Sequence, residues 1–446
     1  MSGRPGLGRR PEPGSGRRHG SGQGKSPRLR ERLKRRAGPE PQGAGPETQG
    51  AGPETRPGTG RRQGPEPRHG RGRPEGSGPA ALPGLYVHVP FCPRRCHYCD
   101  FYSVPDLDKA PLYLKGLALE AAAAASGGTW QGSFGSLYLG GGSPGALPEE
   151  ALRELFRSLA RFPLAEGAEA TLEANPQDVT AGSLRLWRSL GITRISLGAQ
   201  SFSREGLKSS LGRLHGPEEA LRAAEAILKA SFSLSLDLIY GWSGQTLAAW
   251  EADLRRAASG GACHVSAYSL TVAAGTGLAR LLAEGALAPL PGEDALAELF
   301  LAAGEILGGS GLFRYEVSNF ARPGRECRHN LGYWRRAPYL GLGPSAHSFD
   351  GRSRWGNLAS LSGWALALKG GRAPVSFREN LGPSEERLES VMLGLRLSEG
   401  LEARALEGSP ALPGLIRDGL LVRRGFRLAP TERGLLAADY LARTLA

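Results

Sequence analysis

LYVHVPFCPRRCHYCDFYS, residues 85–103, is the stretch from which the rest of the chain is read. Its first five residues, LYVHV at 85–89, form the short aliphatic and β-branched run of a buried strand. The loop that follows carries Cys92, Cys96 and Cys99 in the spacing C-x3-C-x2-C. Soft thiolates held this close suit an iron–sulfur cluster, and three ligands for four irons leave one iron open to a substrate. The same spacing also admits a zinc site completed by His88 or His97.

The pattern that opens there repeats. SLYLG (136–140), EATLEA (169–174), RISLGA (194–199), SLSLDLI (233–239) and HVSAYSL (264–270) read as further strands, with helical patterns between them. Six βα units at intervals of roughly 30 residues predict an α/β fold, a partial (β/α)6 barrel. The working face of such a barrel lies at the C-terminal ends of its strands. The cysteine loop follows the first strand and Gly140–Ser143 the second. Glu173 and Asn175 close the third, Gln200 and Ser201 the fourth, and Asp237 lies late in the fifth. The barrel core is assigned to residues 81–275 and an extension of it to 276–380. A small winged-helix-like C-terminal domain, made of helices and a basic hairpin (LLVRRGFRLA), is assigned to 381–446.

Residues 1–80 stand apart. They carry 18 Lys and Arg against 7 Glu and no Asp, so +11 of the chain's net +13 sits there and the other 366 residues are near neutral at +2. Built of Gly, Pro, Arg, Glu, Ser and Gln, with a short repeat (GAGPETQGAGPETRPG), the segment cannot bury a core and is expected to be disordered. Rich in Arg and poor in acids, it reads as a mitochondrial transit peptide, although apolar residues at helical spacing are missing. A nucleic-acid-binding tail and a solvated extension of a cytoplasmic protein are the alternatives. No run of about 18 apolar residues occurs, so no membrane span is expected. Five cysteines, three of them between residues 92 and 99, read as metal or redox chemistry in a reducing compartment rather than as a disulfide framework.

Gly140, Gly141 and Gly142, followed by Ser143 and Pro144, end the second strand, where bare backbone groups let a ligand come close. Joined to the cysteine loop, this run resembles the radical S-adenosylmethionine superfamily. The stretches LYVHVPFC, LEANPQD, ISLGAQSF, LGRLHG, SLDLIYG, SAYSLT, RYEVSNFARPG and HNLGYW narrow the resemblance. From about residue 84 to 440 the chain is similar to oxygen-independent coproporphyrinogen III oxidases and their relatives, the HemW-type haem chaperones. The resemblance implies a 4Fe-4S cluster on Cys92, Cys96 and Cys99. It also implies S-adenosylmethionine contacts at Tyr86, Gly141, Gly142, Ser143, Glu173, Gln200, Arg213 and Asp237, joined by the main chain of Tyr98. The chemistry it implies is one-electron reduction of the sulfonium, releasing methionine and a 5′-deoxyadenosyl radical inside a barrel that excludes water. Ser143 departs from the family's commoner Thr, Trp242-Ser243 from its Leu-Pro, and one extra residue lies between Gln200 and Arg213.

Two features separate the branches. The oxidases carry a fourth cysteine two residues after the third, where this chain has Phe101. HNLGYW, His329–Trp334, resembles the chaperones' haem-associated motif. The resemblance makes His329 the expected axial haem ligand, with Cys327 as its rival and Cys263 an ordinary core thiol. Tyr333 and Trp334 are expected to stack on the macrocycle, and Arg325, Arg328, Arg335 and Arg336 to meet its propionates. The expected function is a haem chaperone that passes haem to acceptor proteins, with coproporphyrinogen III dehydrogenase as the alternative. A nucleic-acid modifier is disfavoured because the body of the chain is near neutral.

Overall fold

Leu85, Val87 and Val89 are fully buried in the main apolar core, while the alternate residues Tyr86 and His88 face Tyr138 and Tyr102. That period of two is what a strand covered by helices on one side and lining a barrel on the other requires. The computed structural model describes residues 82–446, and the expectations for residues 1–80 lie outside the described residues. The six strands read from the sequence are all present: β1 (Gly84–Val89), β2 (Phe134–Gly141), β3 (Leu164–Ala174), β4 (Arg194–Gln200), β5 (Ser233–Tyr240) and β6 (His264–Ser269). They pair in chain order and all in parallel. Helices Ala110–Ser126, Glu149–Leu159, Ala181–Ser189, Pro217–Lys229 and Leu247–Ser259 make the crossovers. None of the described helices is long and apolar enough to cross a membrane.

Beyond β6 the sheet grows at both edges. β7 (Phe313–Arg314) and β8 (Asn319–Ala321) add antiparallel strands beside β6. The chain then crosses to the other edge, where β9 (Tyr339–Leu342) lies parallel to β1. β10 (His347–Phe349), β11 (Ser353–Asn357) and β12 (Val375–Asn380) follow in antiparallel order. The outcome among the described residues is one open twelve-stranded sheet. β9 is a seventh parallel strand that the sequence does not announce, because YLGL is too short to show a period.

Two buried polar devices hold the additions in place. At the N-terminal end of the barrel, Arg194 of β4 and Glu169 of β3 form an ion pair at 2.8 Å with side chains only 5% and 9% exposed. Arg194 Nη2 also donates to the carbonyl oxygens of Arg325 (2.8 Å) and Glu326 (3.3 Å), and Glu169 accepts from the Arg328 amide (3.0 Å). The pair therefore anchors the start of helix Arg328–Trp334 under the barrel. On the other edge, Glu120 of helix Ala110–Ser126 accepts from the Gly343 amide (2.7 Å), Asn357 Nδ2 (2.5 Å) and Trp364 Nε1 (3.2 Å). One carboxylate thus ties β9, β11 and helix Leu361–Lys369 to the first crossover helix.

Residues from Pro383 onward bury an apolar cluster of their own around Leu395, Leu406, Leu415, Leu421, Leu428 and Leu441. Helices surround a three-stranded sheet of β13 (Leu401–Glu402), β14 (Leu421–Arg424) and β15 (Arg427–Pro430), the last two forming the basic hairpin. Arg314 bridges it to the barrel, its guanidinium lying over Phe300 (3.9 Å) and Phe320 (4.3 Å) and paired with Glu432 (3.0 Å).

Glu120→Ala would leave three donors without their acceptor in a dry interior, so urea unfolding should show a loss of about 3 kcal/mol or more. Glu120→Gln, which keeps one acceptor oxygen, should lose less; an unchanged midpoint for the Ala variant would show that these bonds do not hold the edge.

Candidate functional site

The site begins with a close approach of backbones. Beyond β1 the chain turns through Phe91 into the cysteine loop, and the end of β2 lies against it: Gly142 N donates to Val89 O (2.8 Å) and Ser143 N to Phe91 O (2.6 Å). A Cβ on Gly142 would stand 2.5 Å from Phe91 O and 2.7 Å from Val89 O, so only glycine fits. Gly141 has φ +103°, a conformation that disfavours any side chain, and a Cβ there would meet the His88 ring at 2.4 Å. The glycine run is thus first a fastening for the cysteine loop.

Above this seam lies a cavity of about 360 Å³ at the C-terminal ends of β1–β6. Cys92, Cys96, Cys99, Tyr98, Gly141, Gly142, Ser143, Glu173, Gln200, Arg213 and Asp237, all expected in the site, line it together. A turn of π-helix at Gly206–Ser210 lies between Gln200 and Arg213, and the Arg213 guanidinium reaches the cavity. Arg213 Nη1 donates to Cys96 Sγ (3.2 Å) and Nη2 to Asn175 Oδ1 (2.5 Å) and Gly198 O (2.9 Å). Asn175 Nδ2 in turn donates to Ser143 Oγ (2.6 Å), which donates to Asp178 Oδ2 (3.0 Å). One hydrogen-bonded chain therefore runs from the cysteine loop across β4, β3 and β2. Ser143 keeps the hydroxyl that this chain needs.

Gln200 sits at φ +64°, beside a register shift between β4 and β5, a strained backbone that turns its side chain toward the cavity. Glu173 accepts from Tyr138 Oη (2.9 Å) and the Gly141 amide (3.1 Å). Burial, with the charge of Asp237, pushes its carboxyl up to about 7. Asp237, also raised by burial, is held by Ser196 Oγ at 2.9 Å. Tyr138 and Tyr268 complete the inner wall. Neither was singled out in the sequence, although Tyr138 stands two residues before the glycine run on the same strand.

The three thiols share one wall, and burial pushes those of Cys92 and Cys99 up, a cost that metal ligation removes by displacing the proton. No group of three or more His, Cys, Asp or Glu among the described residues is drawn together as a site for a single ion. His88, one of the two candidate zinc partners, has Nε2 bound to Tyr102 O (2.9 Å) and Nδ1 to Tyr86 Oη (3.2 Å). Three thiols on a cavity wall that neither His88 nor His97 lines fit a cluster with one open iron.

Two of the expected residues lie outside this cavity. Tyr86 does not line this cavity: it lies two residues before His88 inside the barrel, bonds His88 Nδ1, and borders a neighbouring cavity instead. His329 lies at the opposite end of the barrel, under β2. Its Nδ1 pairs with Ser136 Oγ (2.9 Å), its Nε2 with Tyr333 Oη (2.8 Å), and its ring stacks on Tyr138 at 5.2 Å. It is 3% exposed, and burial lowers its pKa to about 3. The motif HNLGYW forms helix Arg328–Trp334 and plugs the barrel floor, so His329 has no free nitrogen for a haem iron. Its rival Cys327 is also buried, its thiol 3.4 Å from Glu169 Oε1 and pushed up by burial. Among the expected propionate partners, Arg328 donates to Gly167 O (2.8 Å), and Arg335 pairs with Glu399 (3.1 Å).

Comparison with known proteins places this geometry. Residues 86–257 match the family model of the radical SAM superfamily. The chain is 40% identical over 373 residues to the heme chaperone HemW of Mycobacterium tuberculosis, covering 81% of this chain and 94% of that protein. It is 32% identical to the heme chaperone HemW of Bacillus subtilis, over 75% of this chain and 90% of the relative. Coproporphyrinogen III oxidase (HemN) from Escherichia coli shares the fold at a TM-score of 0.70 and 22% identity, over 82% of this chain and 90% of that one.

The Glu173 carboxyl yields a pH test. With a pKa of about 7 it is mostly protonated near pH 6 and mostly ionised near pH 8, so a cationic ligand meets its counter-charge only at the higher pH. Affinity for S-adenosylmethionine, measured by calorimetry, should rise by about tenfold over that range. Glu173→Gln should flatten the profile; a wild-type profile that is already flat would remove Glu173 from the binding site.

Proposed function

The chain belongs to the HemW heme chaperone family within the radical SAM superfamily, and we propose that it binds haem and passes it to acceptor proteins while holding a 4Fe-4S cluster and S-adenosylmethionine. What carries the reading is 40% identity spread over 94% of a heme chaperone's length. Phe101, 62% exposed where the oxidases have a fourth cysteine, supports the same branch.

A 4Fe-4S cluster held here would supply one electron to the sulfonium of S-adenosylmethionine. The chain's own residues prepare that step. Cys92, Cys96 and Cys99 would hold the cluster from one wall, where the Arg213 guanidinium donates to Cys96. Glu173 and Asp237 would present carboxylates to the ligand's ammonium group and hydroxyls, and Tyr138 and Tyr268 line the same cavity. The acceptor is a haem-binding protein. Mitochondrial delivery rests on the composition of residues 1–80 alone, and the bacterial relatives lend it no support.

Anaerobically reconstituted protein should bind haem in about equal amount and release it to an apo-acceptor, while failing to convert coproporphyrinogen III given reductant and S-adenosylmethionine. Replacing Cys92, Cys96 and Cys99 with Ala should remove iron and sulfide, whereas Cys263→Ala should not. Repeated turnover to protoporphyrinogen would replace this reading with the dehydrogenase, and stoichiometric zinc in place of iron would overturn the cluster assignment.

A further inference from the structure

The Arg213 guanidinium is spent on no carboxylate. Nη1 donates to Cys96 Sγ (3.2 Å), and Nη2 to Asn175 Oδ1 (2.5 Å) and Gly198 O (2.9 Å). These partners are a thiol, an amide and a backbone carbonyl, so the side chain keeps its full positive charge. Tyr98, whose phenol burial holds in the neutral form, lies beside it. The carboxylates whose fields reach Arg213 are engaged elsewhere. Asp178 accepts from Ser143 Oγ (3.0 Å) and the Asn175 amide (2.9 Å), and Asp237 from Ser196 Oγ (2.9 Å).

We propose that Arg213 is a positioning residue that raises the reduction potential of the cluster through its bond to Cys96; the proposal rests on the cluster assignment above. The resemblance implies only a contact with S-adenosylmethionine for this residue, and the bond to a cluster cysteine is a separate task. Gaining an electron makes a cluster's thiolates stronger hydrogen-bond acceptors. An N–H donor and a positive charge held against one of them therefore favour the reduced state. The arginines of the cysteine loop itself are less suited to this. Arg94 and Arg95 are exposed, where water and salt screen a charge, and Arg95 donates to Ser103 Oγ (3.3 Å) and Phe101 O (3.2 Å) rather than to a thiol.

The fold fixes where that charge stands. Asn175, which receives Nη2, is itself gripped: its Nδ2 donates to Ser143 Oγ (2.6 Å), and Ser143 to Asp178. Gly198 has no side chain to hold the guanidinium off, and a Cβ there would stand 3.3 Å from Nη2. Arg213 is thus clamped between the ends of β3 and β4, with Nη1 left to point at Cys96. A long side chain that would otherwise sample many rotamers gives up that freedom here, so its charge acts on one sulfur at one distance.

The test is a redox titration of the anaerobically reconstituted full chain, followed by electron paramagnetic resonance without S-adenosylmethionine, in wild type, Arg213→Gln, Arg213→Lys and Asn175→Ala. Leaving the ligand out separates the two tasks, because a residue that only binds S-adenosylmethionine does not move the midpoint of the ligand-free cluster. Arg213→Gln should be at least about tenfold harder to reduce, a midpoint lower by about 59 mV or more for one electron. Arg213→Lys, which keeps the charge, should fall between that variant and wild type. Asn175→Ala, which unclamps the guanidinium, should move the midpoint in the same direction by less. Iron and sulfide contents of the same samples should match wild type. An unchanged midpoint in Arg213→Gln would overturn the proposal; if that variant loses its cluster, unchanged midpoints in the other two would do so. A wild type that assembles no cluster would overturn the cluster assignment itself.

Discussion

The site depends on the absence of a side chain at Gly142. The end of β2 can hydrogen-bond to Val89 and Phe91 only because nothing projects from that α-carbon, and a Cβ would fall 2.5 Å from a carbonyl oxygen. Those bonds fix where the chain leaves β1, and hence where Cys92 begins its loop. The other βα loops are tied to the same seam through Asp178, Ser143, Asn175 and Arg213, ending on Cys96. A loop of three cysteines would otherwise be free to pair or oxidise; here it is held open toward a cavity.

The barrel has two ends with opposite duties. At the C-terminal end polar groups are left to face a cavity, with Glu173 close to neutrality and Gln200 in a strained backbone. At the N-terminal end polar groups pair with one another: Arg194 with Glu169, and His329 between Ser136 and Tyr333. A buried pair of this kind contributes specificity of placement more than stability, and here it places the plug helix. Phe101 and Asp100 line two adjoining cavities, so the cluster loop forms part of both walls.

The parallel strands were legible because burial on both faces imposes long aliphatic runs, and the cysteines because their spacing has few other uses. The strand-end rule also located Glu173, Gln200 and Asp237, since each follows a run whose direction is fixed. What was not legible depends on contacts between distant segments. His329 looks the same in sequence whether it binds a metal or fills a floor, and its contacts with Ser136, 193 positions away, and Tyr138 are not readable there. Tyr86 borders the adjoining cavity, a depth in the barrel that its place on the strand does not reveal. β9, four residues long, has no signal of its own.

The central claim is that the glycine seam positions the cysteine loop for a cluster with one iron open to S-adenosylmethionine. Electron paramagnetic resonance of the reduced, anaerobically reconstituted protein, with and without S-adenosylmethionine, tests it most directly when wild type is compared with Gly142→Ala. The account expects a 4Fe-4S signal in wild type that changes on adding S-adenosylmethionine, and a Gly142→Ala protein that has lost that response or the cluster itself. A wild-type signal indifferent to S-adenosylmethionine, or a Gly142→Ala protein that responds as wild type does, would contradict it.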